Sequence, residues 1–393
     1  MDKARLLPGF AAFRSAKMSK LFPPFKLGEL EFKKPGQTLA RFGSRKDGSG
    51  YNRYFLAARC VCFNFFEGIH MKFSKLFVLA CTLFFTLGAQ AAPDLVRLGN
   101  LKFAHYGAVS YMKEIAPKYN LKIEERVFAK GLDILPATIA GEIDIAASAL
   151  DAAIAGRASG VPIFVVAGFA KGGARIVARP DLNIKSVADL KGKKVGVARG
   201  GAQELLLAAE LAKHNLTWSD QPGKDVQIFF MPFADLNQAL MQKNIDAMCQ
   251  SEPQSSQAIN KGFGVEVLKP YDTPLGEPVR ALVMTEKMYN EKRDVAERVL
   301  KLFVEATRTF QENPKLAEKY VREQMFKNQI SIDDYQDAMS NASFTYDVSL
   351  DHVQITTDLM KKYGVGKMSN PPLAKDWVRL DLLDKAKKEL KVK

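Results

Sequence analysis

The chain reads as an α/β protein of two similarly built lobes, each a mostly parallel sheet flanked by helices, with a cleft between them. Three observations predict this. From Leu95 onward, apolar strand-like runs alternate with amphipathic helical runs. The order β-α-β-α-β-α-β gives a parallel sheet covered on both faces. A helix–strand unit also recurs: Ile134, Ala137, Ile143 and Asp144 are echoed 102 residues on by Leu236, Ala239, Ile245 and Asp246. Two copies of one unit suggest two lobes built alike, although two unrelated amphipathic helices would also give such an echo. Finally, Lys193 to Leu207 reads as a strand, a turn at Gly200-Gly201 and a helix running to about His214.

The elements follow in order. Leu95 to Gly99 is the first strand, and Phe103, His105 and Tyr106 sit in the loop before a helix that runs to about Ala116. Leu121 to Phe128 is the second strand. Lys130-Gly131 opens a helix over Leu132 to Ala140, and Glu142 to Ala146 is the third strand, ending in Ser148-Ala149-Leu150-Asp151. A helix over Ala152 to Ser159 and a strand over Ile163 to Gly168 complete the series. Ala170 to Ala174, with Gly172 and Gly173, reads as a flexible linker, and Arg175 to Ala178 as the first crossing between lobes. The second lobe holds the glycine turn, the strand Val226–Phe230, a helix begun at Phe233, and Ala247 to Pro253. Arg280 to Met284 is the return crossing. Helices are expected at Asp294–Gln311, Pro314–Phe326, Ile332–Ser340 and Leu350–Tyr363, packed back on the first lobe.

Charge and cysteine usage narrow the function. The formal charge is +14, but residues 1–91 carry 15 basic and 5 acidic side chains, leaving 42 and 38 for the rest. The basicity belongs to the leader, so no nucleic-acid partner is expected. Met71-Lys72-Phe73-Ser74-Lys75, the apolar run Leu76 to Leu87 and Ala89-Gln90-Ala91 form a secretory signal peptide over residues 71–91. The run is too short to span a membrane. Cleavage leaves Ala92 first and implies a periplasmic protein. Residues 1–70 then read as untranslated or unstructured, with translation starting at Met71; a long cytoplasmic extension is the other reading. Cysteines stand at 60, 62, 81 and 249, so the mature chain keeps one and forms no internal disulfide. The scattered histidines suggest no metal site, and no cofactor is expected.

The turn at Gly200-Gly201 suits an anion. A helix start offers free N–H groups and a partial positive charge, though an ordinary βα turn that binds nothing looks the same. There is no P-loop ending and no GxGxxG. With the preceding Ile184-Lys185-Ser186 and Asp189-Leu190-Lys191-Gly192-Lys193, the stretch resembles the signature of type II periplasmic binding proteins, of the nitrate/sulfonate/taurine branch that serves ABC transporters. The run from Gly131 through Glu142-Ile143-Asp144-Ile145-Ala146 resembles the same family. Where the family usually has Trp-Glu-Pro this chain has Ser251-Glu252-Pro253, so an aromatic wall from that position is in doubt.

The resemblance implies a monomeric receptor that closes on a small anion and delivers it to an ABC permease and ATPase. It places lobe I at 92–177 plus 280–393 and lobe II at 178–279. The ligand would sit among Phe103, His105, Tyr106, Lys130, Gly131, Ser148, Ala149, Gly172, Gly200, Gly201, Ala202, Phe233, Ser251 and Glu252. Lys130 or His105 would add positive charge, and Glu252 would hold an ammonium group unless it caps its own loop. Phe103, Tyr106 and Phe233 leave room for an aromatic acid or a pyrimidine, so a thiamin-precursor receptor is the alternative. A pyrimidine-precursor synthase of the same ancestry is less favoured: the Cys-rich loop it needs is absent, and no nucleophile–base pair is apparent.

Overall fold

The computed structural model describes residues 92–392. The expectations for the leader lie outside them. The first half runs β1 (Asp94–Leu101), α1 (Gly107–Ile115), β2 (Leu121–Phe128), α2 (Ile134–Ile139), β3 (Ile145–Ala149), α3 (Leu150–Ala158) and β4 (Ile163–Gly172). The second runs β5 (Ala174–Ala178), β6 (Lys194–Val197), α4 (Ala202–Lys213), β7 (Trp218–Ser219), β8 (Val226–Phe230), α5 (Phe233–Met241), β9 (Ala247–Ser251), α6 (Gln254–Asn260) and β10 (Val265–Leu268). Then come β11 (Val279–Thr285), α7 (Glu286–Glu291), α8 (Arg293–Glu312), α9 (Pro314–Lys319), α10 (Ile332–Ser340), β12 (Ala342–Phe344), α11 (Leu350–Tyr363), α12 (Ala374–Trp377) and α13 (Asp381–Glu389).

The strands form two six-stranded sheets, ordered β12-β4-β11-β3-β1-β2 and β10-β5-β9-β6-β8-β7. In the first, β1 is parallel to β2 and β3, while β11 runs antiparallel between β3 and β4. In the second, β6 is parallel to β8 and β9, while β5 runs antiparallel between β9 and β10. The plan is the same twice: a run of parallel strands flanked by one antiparallel strand, β11 in the first sheet and β5 in the second. Each sheet is therefore mixed.

The echoed residues do the same job in both sheets. The N–H of Arg97 donates to Asp144 Oδ2 at 2.9 Å, and the N–H of Asp144 returns to Arg97 O. The N–H of Lys194 donates to Asp246 Oδ2 at 2.9 Å, and the N–H of Asp246 returns to Lys194 O. An arginine reinforces each carboxylate, Arg97 on Asp144 and Arg179 on Asp246. One residue was not anticipated. A Cβ on Gly99 would lie 2.9 Å from Ile134, and one on Gly196 would lie 2.6 Å from Ile245 and 2.8 Å from Leu236. The bare backbone lets the helix of each unit settle on its sheet.

Several expectations need correction. The third strand begins at Ile145, because Asp144 is engaged in closing the unit onto Arg97 and ladder pairing starts with Leu98 opposite Ile145. Ala170 to Gly172 is not a flexible linker. It is the end of β4, held by β11 on one side and β12 on the other. The chain leaves the first sheet at Gly172 and Gly173, whose φ of 75° and 77° only glycine adopts freely. β5, expected in lobe I up to residue 177, hydrogen-bonds entirely within the second sheet. Helix α9 stops at Lys319 and passes into a π-helical turn, Tyr320–Met325. The long α8 packs on α1 and α13, over the first sheet's core of Val96, Leu98, Val165, Leu282 and Phe303. A second cluster, including Ile176, Val195, Leu207, Ile228 and Cys249, fills the second sheet.

Candidate functional site

The parallel strands of both sheets end on one edge, where open α/β sheets hold ligands. Leu101, Phe128 and Ala149 close β1, β2 and β3; Val197, Phe230 and Ser251 close β6, β8 and β9. The loops beyond them enclose two spaces. The outer one is a cleft of about 600 Å³ lined by Lys102, Phe103, Phe128, Lys130, Asp133, Arg199, Phe230, Met231, Pro232, Phe233 and Gln254, among others. The inner one, about 10 Å³, is lined by Leu101, Phe103, Tyr106, Gly131, Ala149, Gly201, Gln203, Phe233, Ser251 and Arg280. Phe103 and Phe233 line both spaces and meet edge-on, with ring centroids 5.1 Å apart.

Arg280 is the residue that sequence reasoning missed. It is 2% exposed, and its Nη1 has no hydrogen-bond partner among the described residues. Because β11 is antiparallel, its start lies beside the ends of the parallel strands, and Arg280 pairs with Ala149. A cation set in the apolar run Arg280-Ala281-Leu282-Val283-Met284 is the signal for it that the sequence carries. Asp151, at the start of α3, is also buried, with neither carboxylate oxygen partnered. Burial pushes its pKa up to about 6, while Arg280 pulls it down. Asp151 lines a separate small cavity with Leu150, Ala202, Leu205, His352 and Thr356.

The glycine turn differs from expectation. Gly200 has φ 74°, and its N–H donates to Glu204 Oε2 at 2.8 Å. The protein's own carboxylate thus already occupies that donor. Gly201 precedes α4 in extended backbone and faces the inner cavity with Arg280. Of the N–H groups in the first turn of α4, that of Glu204 donates to Gly201 O at 3.0 Å, while those of Ala202 and Gln203 have no intrahelical acceptor.

The other expected residues divide into three groups. Phe103, Tyr106, Gly131, Ala149, Gly201, Phe233 and Ser251 come together at the inner cavity. A Cβ on Gly131 would stand 3.2 Å from Ser148 Oγ, so Ser148 lies just behind it, its hydroxyl donating to Ala149 O. Lys130 faces the outer cleft, 3.9 Å from Asp133. Three others, Ala202, Gly172 and His105, lie elsewhere. Ala202 borders the Asp151 cavity. Gly172 belongs to the β4 ladder, where a Cβ would sit 2.3 Å from Asn341 O. His105 is fully buried against Gly173 with both ring nitrogens unpartnered. Burial, assisted by Arg280, holds its pKa well below the usual value, so it is neutral and supplies no charge.

Glu252 does not offer itself to an ammonium group. It is fully buried, and its Oε1 lies 2.7 Å from Arg175 Nε and accepts from Asn341 Nδ2 at 3.0 Å. Its Oε2 accepts from the N–H and hydroxyl of Ser256. The carboxylate caps its own loop and ties β5 to the segment after α10.

Two sheets of one plan, with a cleft at the ends of their parallel strands and a buried arginine whose Nη1 is unpartnered among the described residues beside it, have the architecture of the periplasmic-binding-protein fold. The chain belongs to the NMT1-like family, whose model matches residues 90–322. It is 29% identical over 189 residues to an Escherichia coli protein named "Putative aliphatic sulfonates-binding protein", a match covering 47% of this chain and 57% of that one. It is 26% identical over 250 residues to a Brachyspira hyodysenteriae protein named as an ABC transporter periplasmic binding protein, covering 58% and 70%. The alkanesulfonate-binding protein SsuA from Xanthomonas axonopodis pv. citri, solved bound to MOPS, shares the fold with a TM-score of 0.62 at 18% identity, covering 74% of this chain and 99% of that one. No helix among the described residues is long and apolar enough to cross a membrane.

Proposed function

We propose that the protein is the solute receptor of an ABC importer and captures a small organic anion, a sulfonate or carboxylate, by closure of its two lobes. The observation that carries this is Arg280: a buried guanidinium with a free donor, lining the same cavity as the start of α4. Taking a cation out of water is costly unless a partner compensates it. An anionic head group between Arg280 and the N–H groups beyond Gly201 is such a partner, through charge-assisted hydrogen bonds. The sulfonates in one relative's name support this class of ligand, and the ABC transporter in the other's supports an importer, whose permease and ATPase would be the partners. Export through residues 71–91 fits this role and predicts Ala92 at the N-terminus of the secreted protein.

Thermal melting with a ligand panel tests the proposal. At about a hundred times the dissociation constant, a ligand that binds only the folded state adds roughly 2.7 kcal/mol. Sulfonates and carboxylates should raise the melting midpoint by several degrees, and their neutral amides should not. The aromatic lining from Phe103, Tyr106 and Phe233 favours a second reading, a neutral pyrimidine. That reading wins if a pyrimidine shifts the midpoint and none of the acids does.

A further inference from the structure

Resting on that reading, we infer that Phe103 and Phe233 form an aromatic gate that selects organic anions carrying a ring-sized apolar body over inorganic oxyanions. The two rings come from opposite sides of the cleft, Phe103 from the loop after β1 and Phe233 from the first position of α5. They touch edge-on and separate the inner cavity from the outer cleft. The inner space, about 10 Å³, has room for roughly one water. On this reading an anion passes from the outer cleft to Arg280 by parting the rings.

Parting them has a cost that depends on the ligand. The edge-to-face contact and the apolar burial of both rings are lost when they separate. Phe103 is 5% and Phe233 8% exposed, so both are well sealed in the closed arrangement. Nitrate or sulfate offers nothing apolar to replace that contact. An aryl or alkyl group next to the head would lie between the rings and restore it. Beyond the gate, Phe128, Phe230 and Met231 continue the apolar wall. Lys130 and Arg199 stand at the rim of the same cleft, where cations speed the arrival of anions without choosing among them.

Calorimetric titration of the unmodified protein with sulfate, methanesulfonate and benzenesulfonate tests the gate. Affinity should rise in that order, with benzenesulfonate roughly a hundredfold tighter than methanesulfonate, the gain expected from burying one phenyl-sized group. Phe233→Ala should shrink that ratio to about tenfold or less. Phe103→Ala serves the same purpose if the first variant does not fold, and the ratio in the parent protein needs neither. Equal affinities for methanesulfonate and benzenesulfonate, or sulfate binding best, overturn the gate and leave the anion receptor standing. Binding of none of the three removes the receptor reading and the gate with it.

Discussion

Replacing Arg280 by methionine should move binding and stability in opposite directions. The side chain is 2% exposed and its Nη1 is unpartnered among the described residues, so the free protein carries the desolvation of a charge with little return. Methionine fills similar volume without that charge. Replacing buried ionic groups by well-packed apolar ones is often neutral or stabilising by about 1–4 kcal/mol. The empty variant should therefore melt higher than the parent. Ligand binding should suffer, because two charge-assisted hydrogen bonds to an anionic head are worth roughly 1.5–3 kcal/mol each. Their loss weakens binding by roughly two to four orders of magnitude. Melting curves with and without a sulfonate, followed by calorimetry, read both quantities. Arg280→Lys keeps the charge but not the planar fork and should fall between the two. The reasoning is refuted if Arg280→Met binds sulfonate as tightly as the parent. It is also refuted if the empty variant is markedly destabilised, which would make Arg280 a structural partner of Asp151.

Three further outcomes follow from the geometry. Gly200→Ala places a methyl at φ 74° and 2.1 Å from Leu132 Cδ1, so it should cost about 1–2 kcal/mol from the left-handed backbone plus the displacement of Leu132. Denaturation of the double variant with Leu132→Ala should recover the steric part, and strict additivity would show that the two do not meet. Asp151 has a pKa of about 6 when folded, above its unfolded value, so this group lowers stability as pH rises through that interval and the full penalty stands above it. Asp151→Asn should be more stable than the parent near neutral pH by up to about 3 kcal/mol, with the advantage gone in acid; a pH series of melting points decides it. Glu252→Gln removes the charge facing Arg175, which keeps its ion pairs with Glu266 and Asp337, and should cost about 1–3 kcal/mol in urea denaturation. It should leave any preference for amino-sulfonates unchanged, and a variant that is stable yet loses that preference would return Glu252 to the ligand.

What the sequence revealed depended on how local the determining contacts are. β2, β8, α10 and α11 were placed to the residue, because turn residues and apolar periodicity lie within the segments themselves. The repeated Asp144 and Asp246 were legible because each unit carries its own anchor. β12 was not, since Ala342-Ser343-Phe344 becomes a strand only by pairing with Ala170 to Gly172. The candidate site divides the same way. Phe103, Gly131, Gly201 and Phe233 follow strand ends and were found by position. Arg280 and the true setting of Glu252 depend on partners distant in sequence: Ala149 for one, Arg175 and Asn341 for the other. Glu204 stands four residues after Gly200, close enough in sequence for its carboxylate to close the turn onto itself.

The interleaving of the two sheets bears on how the molecule is made. β3 and β4 do not pair with each other; the strand between them, β11, is synthesised only after the whole second sheet. Until it arrives, two fully or largely buried apolar strands have open edges, the condition under which partly made chains associate wrongly. A fragment ending before Val279 should accordingly be insoluble when expressed alone. The late strand also delivers Arg280, so the proposed anion site requires β11 to be in place, and ligand capture would report on a chain grown past that strand.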